Sequence, residues 1–155
     1  MIPVSNLFES SNIELIPLDR KFHKTIDIPN KEYDIAVRFD TPHSDWYTVL
    51  YDQKRAASTG IILRGSKQNI KHFFQIAIHQ KYRRKGLVDV ISTTLLKKYP
   101  QAKGLYAVIN KNNMNSIKAH KKANFKQVDI DKHITKTKQS PNSYLFYKTR
   151  LNNIH

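Results

Sequence analysis

A mixed α/β fold, one sheet with helices packed on it, follows from the order of elements legible in this chain of 155 residues. Three observations carry it: short alternating or β-rich runs, two stretches with apolar residues at helical spacing, and their interleaving as β, (α), β, β, β, α, β, α, β, β. Asn12-Ile13-Glu14-Leu15-Ile16-Pro17-Leu18 alternates and reads as the first strand. Residues 19–45 are irregular, with a short helix near Asp19 to Thr25. Trp46 to Tyr51 and Ala57 to Leu63 read as hairpin partners around the turn Asp52-Gln53-Lys54. His72 to His79 is a β-rich run of buried character. From Lys85 to Tyr99 the residues Leu87, Ile91, Leu95 and Tyr99 recur at helical spacing until Pro100 stops the pattern. Leu105 to Ile109 is a short apolar strand, and Asn113 to Ala123 a second helix offering Met114, Ile117 and Ala123 for packing. Phe125 to Ile130 and Ser143 to Tyr147 read as strands joined by the polar stretch Thr135 to Asn142.

Composition bounds the class. At 39% hydrophobic and 10% aromatic the chain can build one ordinary core. No repeat or Pro/Gly-rich linker divides it, so residues 1–155 are read as a single domain. There is no cysteine, which excludes disulfides, Cys-ligated zinc, iron–sulfur clusters and cysteine nucleophiles, and fits a reducing, cytoplasmic setting. The longest apolar stretches are a few residues, far short of the roughly 20 needed to span a bilayer, so no membrane partner is expected. Met1 to Asn12 has neither a basic leader nor a long apolar stretch, and no secretory signal is expected. The four glycines, Gly60, Gly65, Gly86 and Gly104, cannot form G-x-G-x-x-G or G-x-x-x-x-G-K-[ST], which removes two nucleotide-binding classes. The seven histidines show no paired metal spacing, so no metal site is expected.

The protein is strongly basic, at +15, and the charge is uneven. Residues 1–52 balance to −4, residues 53–128 to +16 and residues 129–155 to +3; Asp89 is the sole acid of the middle block. Single lysines such as Lys97, Lys98 or Lys103 are ordinary solubilising residues. A long block nearly free of acids is different: it raises a positive potential that attracts phosphates, either of a phosphorylated cofactor or of a nucleic acid.

One segment joins charge to local structure. His72-Phe-Phe-Gln-Ile-Ala-Ile-His79 ends in Gln80-Lys-Tyr-Arg-Arg-Lys-Gly86-Leu-Val88, after which a helix begins. Free N–H groups at a helix start favour an anion; Arg83, Arg84 and Lys85 add charge, and Gly86 permits close backbone approach. An ordinary strand-to-helix turn with a solvated basic surface fits this segment equally well.

The segment resembles the pyrophosphate loop of the GCN5-related N-acetyltransferases, Q/R-x-x-G-x-G/A. Arg83-Arg84-Lys85-Gly86-Leu87-Val88 matches its first four positions, with Val88 in place of the final Gly/Ala. A second family segment, N-x-x-[AS] followed by an aromatic and Gly-Phe, is matched at Asn113, Ser116 and Phe125. Asn124 stands where the family has glycine and tolerates the same left-handed backbone. The resemblance covers residues 46–150 loosely and 72–125 well. It implies a mostly antiparallel sheet of six to seven strands with helices on both faces, and transfer of acetyl from acetyl-CoA to a primary amine.

Such a transfer needs a neutral amine, stabilisation of a developing oxyanion and a proton for the departing thiolate. The resemblance sets His120 where the family has a proton-donating tyrosine, with Tyr82 or Tyr106 as alternative donors; an interfacial helix residue is the plainer reading of His120. Where the family often has a strand glutamate, residues 72–79 hold no acid. Gln75 could order a water and His72 or His79 accept a proton, or no base is needed if the amine arrives neutral. Backbone groups around Phe74, including those of Ile76, Ala77 and Ile78, would serve the oxyanion and the cofactor's amide arm. Asn110 and Asn113 stand at family positions for cofactor contacts, although a helix cap would also explain Asn113. The acceptor is not legible: a small molecule, a peptide or protein amine, or an amine carried on RNA or the ribosome. A degenerate member acting as a nucleic-acid-binding module is the reading from another class. Either a monomer or a homodimer is compatible with the sequence.

Overall fold

The computed structural model describes residues 13–28, 39, 41–129 and 142–150. Seven strands form one sheet: β1 (Ile13–Pro17), β2 (Ser44–Tyr51), β3 (Lys54–Ser66), β4 (Asn69–Ile78), β5 (Gly104–Asn110), β6 (Lys126–Val128) and β7 (Ser143–Thr149), in the order β1-β2-β3-β4-β5-β7-β6. Every pairing is antiparallel except β4 with β5. Among the described residues three helices accompany it: α1 (Arg20–His23), α2 (Leu87–Lys98) and α3 (Met114–Lys122).

Alternation along the strands sorts side chains to the two faces. Val49, Ala57, Ile61, Phe74, Leu105, Ala107 and Phe146 form one core with Leu87, Ile91 and Leu95 of α2 and Ile117 of α3. Ile62, Phe73, Tyr106 and Leu145 form a smaller cluster flanked by Trp46 and Tyr147. Gly60 belongs with that second face for a steric reason: a Cβ there would run into the Trp46 ring. On that face too, α1 is tied down by Asp19 N–H donating to Thr48 Oγ1 at 2.7 Å and by His23 Nδ1 lying 2.9 Å from Ser58 Oγ. Helices therefore lie on both faces, as expected.

The elements fall where the sequence places them, and the shifts at their ends have physical causes. Asp52 and Gln53 adopt φ of +48° and +68°, the left-handed pair of a tight hairpin turn, so β3 starts at Lys54 and runs further than its apolar run suggests. β4 starts at Asn69 because Ser66 and Gly65 continue to pair with Asn69 and Ile70. α2 begins at Leu87, not Lys85, because Arg84 and Gly86 have φ of +64° and +72° and cannot be helical. At the end of α3, Asn124 has φ +70°; Phe125 N–H donates to the His120 carbonyl and Asn124 N–H to the Lys121 carbonyl. This is a Schellman stop with asparagine at the left-handed position. It places Phe125 outside the following strand, which begins at Lys126. Of the polar stretch from Thr135, residues 135–141 lie outside the described residues, as do 29–38 of the irregular segment. No helix among the described residues is long and apolar enough to cross a membrane.

Candidate active site between strands β4 and β5

The two parallel strands meet at one register pair, Phe73 with Tyr106. Past it β4 continues through Gln75, Ile76, Ala77 and Ile78 paired with β3 alone, while β5 continues to Asn110 paired with β7 alone. Backbone groups of β4 that point away from β3 over this length have no strand partner, and residues 75–78 are only half-buried. The sheet thus opens between the carboxyl ends of two parallel strands, the place where α/β sheets hold ligands.

Both strands lead into polar turns at this opening. β4 runs into a 3-10 turn, Gln80–Tyr82, and then the basic loop. Gly86 precedes α2 without a side-chain cap, and the first intrahelical bond is Val90 N–H to the Gly86 carbonyl at 3.5 Å. The N–H groups of Leu87, Val88 and Asp89 are therefore the unsatisfied donors of a helix start, with the positive end of its dipole. A Cβ built at Gly86 would meet no atom within 4 Å, so the space in front of the loop is open. Left-handed backbone at Arg84 is a cost tolerated in loops that grip ligands, and Gly86 adopts the same region freely. Leu87 and Val88 bury their side chains in the core and can offer a ligand only backbone. Arg84 and Lys85 are exposed.

Arg83 does something else. Its Nε donates to the Ile78 carbonyl at 3.2 Å and its Nη2 to the Asp27 carbonyl, while Gln80 accepts from Asp27 N–H at 2.9 Å. The guanidinium clamps the loop to the segment after α1. This modifies the expectation that all three basic residues face phosphate.

His120 lies on α3 with 4% of its surface exposed, packed edge-on against Phe125 at 5.0 Å and Phe74 at 5.8 Å. Its contact with Phe125 is the apolar contact that accompanies the Schellman stop. Nδ1 lies 2.8 Å from the Ser116 carbonyl, which can only accept, so Nδ1 carries the proton and Nε2 the lone pair. Burial pulls the imidazole down to about 4; the nearby Lys148 charge adds to the drop and the Ser116 carbonyl opposes it. At neutral pH this histidine is uncharged, its one ring proton directed to the Ser116 carbonyl.

The other candidates divide. Gln75 lies on the open length of β4, on the face opposite α2 and α3, and its carbonyl accepts from Thr59 Oγ1 at 2.7 Å. Ile76 and Ile78 pack on the helix-side core. His79 caps the 3-10 turn, Nδ1 accepting from Lys81 N–H at 3.2 Å, and stacks on Phe22 at 5.8 Å. His72 sits at the other end of β4, away from the opening. Asn110 Oδ1 accepts from Asn112 N–H at 2.9 Å and Asn113 Oδ1 from Ser116 N–H at 3.3 Å, so both side chains shape the turn into α3. Ser116 Oγ lies 3.3 Å from His120 Nδ1. Tyr82 packs against Tyr51 at 6.1 Å, and Tyr106 stacks on Phe73 at 5.4 Å at the apex of the opening, its phenol raised by burial. No group of three or more potential metal ligands gathers among the described residues.

Sequence reasoning missed a buried cation. Lys148 of β7 is 2% exposed and its Nζ donates to Asp89 Oδ1 at 2.9 Å, Ser92 Oγ at 2.8 Å and Thr93 Oγ1 at 3.1 Å. Burial lowers its ammonium and Asp89 opposes the drop. The effect on the site is electrostatic: Asp89 is in the first turn of α2, where its charge would repel an anion, and Lys148 offsets it. Alternation of Tyr144, Phe146 and Lys148 on one strand face was the signal available.

The profile of the acetyltransferase (GNAT) family matches residues 13–125 of this chain. No curated protein matches it. Among solved structures, a chimera of the Vibrio cholerae spermidine N-acetyltransferase SpeG with hSSAT is similar at 13% identity and a TM-score of 0.63, over 88% of this chain and 95% of that one. The Campylobacter jejuni N-acetyltransferase PseH, solved with acetyl coenzyme A, is similar at 14% identity and a TM-score of 0.60, over 90% and 100%. A Bacillus subtilis acetyltransferase solved with CoA gives 13% and 0.60, over 90% and 98%.

Proposed function

Because the chain belongs to the acetyltransferase (GNAT) family, we propose that it transfers the acetyl group of acetyl-coenzyme A to a primary amine. The observation that carries this reading is the opening between β4 and β5 ending at a helix start headed by an uncapped, left-handed glycine. The coenzyme, when bound, supplies an acetyl thioester. The Leu87, Val88 and Asp89 N–H groups would hold its pyrophosphate, with charge from Arg84 and Lys85. Free backbone groups among Gln75 to Ile78 would hold its amide arm and meet negative charge developing on the carbonyl oxygen. Asn110, Asn113 and Ser116 support the site by shaping the turn and first turn of α3.

His120 enters this reading as a proton acceptor. An attacking amine must shed a proton and the departing thiolate must gain one, and a neutral imidazole with a free Nε2 can take the first and pass it on. The described site offers no carboxylate base, and the surrounding positive potential lowers the pKa of an incoming amine, favouring its neutral form. The test is release of free thiol from acetyl-coenzyme A across a panel of amines, peptides and polyamines. A wild-type protein that binds coenzyme A but turns over no amine would overturn the transfer; one that does not bind it would overturn the site.

A second reading draws on Lys118, Lys121, Lys122 and Lys126, all exposed on or just after α3. In it the acceptor amine is carried on RNA or the ribosome, and transfer to aminoacyl-RNA exceeds transfer to the free amino acid by a salt-dependent factor.

A further inference from the structure

A cavity of about 250 Å³ lies at the opposite end of β4 from the proposed coenzyme loop. From His72 to Ile78 the strand spans about 20 Å, which sets the cavity well away from that loop, and none of its lining residues belongs to the β4–β5 opening. The cavity sits between the β3–β4 hairpin and the connection from α2 to β5, and its polar wall is made by Lys67, Gln68, Asn69, Gln101 and Lys103. Ile70, half exposed in spite of its size, forms an apolar lip. No carboxylate lines it.

His72 completes the wall and is its anomaly. The residue is 4% exposed, and Nε2 is buried with no hydrogen-bond partner among the described residues. A buried polar atom left unpaired costs about 1–3 kcal/mol, and such atoms in native proteins are usually met by a water, ion or ligand. Tyr99, whose ring lies 6.2 Å away, has its hydroxyl committed to Tyr47 and Asp45. Arg150, whose charge acts on His72, is committed to the carbonyls of Leu96, Tyr99 and Ala102. Two ammonium groups, three side-chain amides and an unpaired imidazole nitrogen surround one cavity, and no carboxylate among the described residues lines it.

We propose that this cavity is a second ligand site, distinct from the β4–β5 opening, that takes a small anion bearing a phosphate or carboxylate head. Lys67 and Lys103 supply charge, the amides direct hydrogen bonds, and His72 gives one bond from inside. The volume admits the head together with a short carbon chain against Ile70, a metabolite rather than a bare ion.

Amide and histidine side-chain resonances of the full chain, titrated separately with inorganic phosphate and with succinate, test the assignment and tell the two heads apart. Saturable shifts at residues 67–72 and 101–103 are expected with at least one of them. The Lys67→Ala/Lys103→Ala protein should bind about tenfold more weakly. His72→Phe should raise the melting temperature of the ligand-free protein and remove most of the rise that the anion gives to wild type. Shifts confined to residues 84–89 would mean that the anion goes to the coenzyme loop alone, and would overturn the proposal. No saturable shift with either anion, or unchanged affinity in the double variant, would do the same.

Discussion

Replacing His120 by glutamine tests its protonation state by stability and by rate together. Its pKa lies at about 4 in the folded chain against an ordinary 6.5. A histidine lowered on folding binds fewer protons in the native state, so stability falls as pH drops from 6.5 towards 4 and is level above that window. Linkage over this interval gives a loss of about 2.5 kcal/mol between pH 7 and pH 4.5, from about 1.4 kcal/mol per pH unit. His72 is lowered too, by burial and by Arg150, and adds loss of the same sign to both proteins. Urea denaturation at pH 7, 6, 5 and 4.5 should therefore show wild type losing about 2.5 kcal/mol more than His120→Gln. In the rate, a proton acceptor of this kind leaves turnover level from pH 6 to 8 once the ionisation of the amine is corrected for, and His120→Gln lowers kcat by about 10²–10⁴ with coenzyme affinity nearly unchanged. Parallel stability curves for the two proteins would refute the buried neutral imidazole. Wild-type turnover falling with pH above 6.5 would refute the acceptor role and restore a donor. Equal turnover in the two proteins, per folded molecule, would leave Tyr106 or Tyr82 as the group to test.

Other expectations follow from the loop and its supports. Gly86→Asp should weaken coenzyme A binding strongly, because it puts a carboxylate where pyrophosphate meets bare N–H groups; calorimetry showing unchanged affinity with an unchanged circular dichroism spectrum would sink the loop assignment. Arg83→Ala should cost coenzyme affinity by releasing the clamp on the Ile78 and Asp27 carbonyls, and Arg83→Lys should not rescue it, since one ammonium cannot span both; full rescue by lysine would favour simple charge. Lys148→Met should change stability little, because desolvation offsets much of the value of a buried pair, while weakening coenzyme binding several-fold as Asp89 is left uncompensated; a large loss of stability with normal affinity would contradict this. Heparin or RNA should bind with log affinity falling linearly in log salt, and binding indifferent to salt would exclude a phosphate-driven contact.

Much of the candidate site is legible in the sequence because its parts are local. A strand, a basic turn with one glycine and a helix are neighbours in sequence, and the left-handed backbone at Gly86 and Asn124 is a property that residue type largely controls. The opening itself was not legible in this way. It arises because β4 and β5 are parallel and meet only at Phe73 and Tyr106, a register set by strands and helices distant in the chain. His120 was placed by its distance in sequence from Phe125, while its charge state comes from burial and from the Ser116 carbonyl, which no residue letter records.

The sequence by itself determined the class of fold, the order of its elements, the stop of the helix before Phe125 and the family, through hydrophobic period, turn chemistry and two short motifs. Only the tertiary structure decided protonation and pairing. The Ser116 carbonyl sets which nitrogen of His120 holds the proton, and burial against Phe74 and Phe125 keeps it neutral. Lys148 reaches Asp89 across 59 residues, and Arg83 turns back to a carbonyl 56 residues away. Charges and lone pairs take their values from the dielectric and the partners around them, and those are gathered from all parts of the chain.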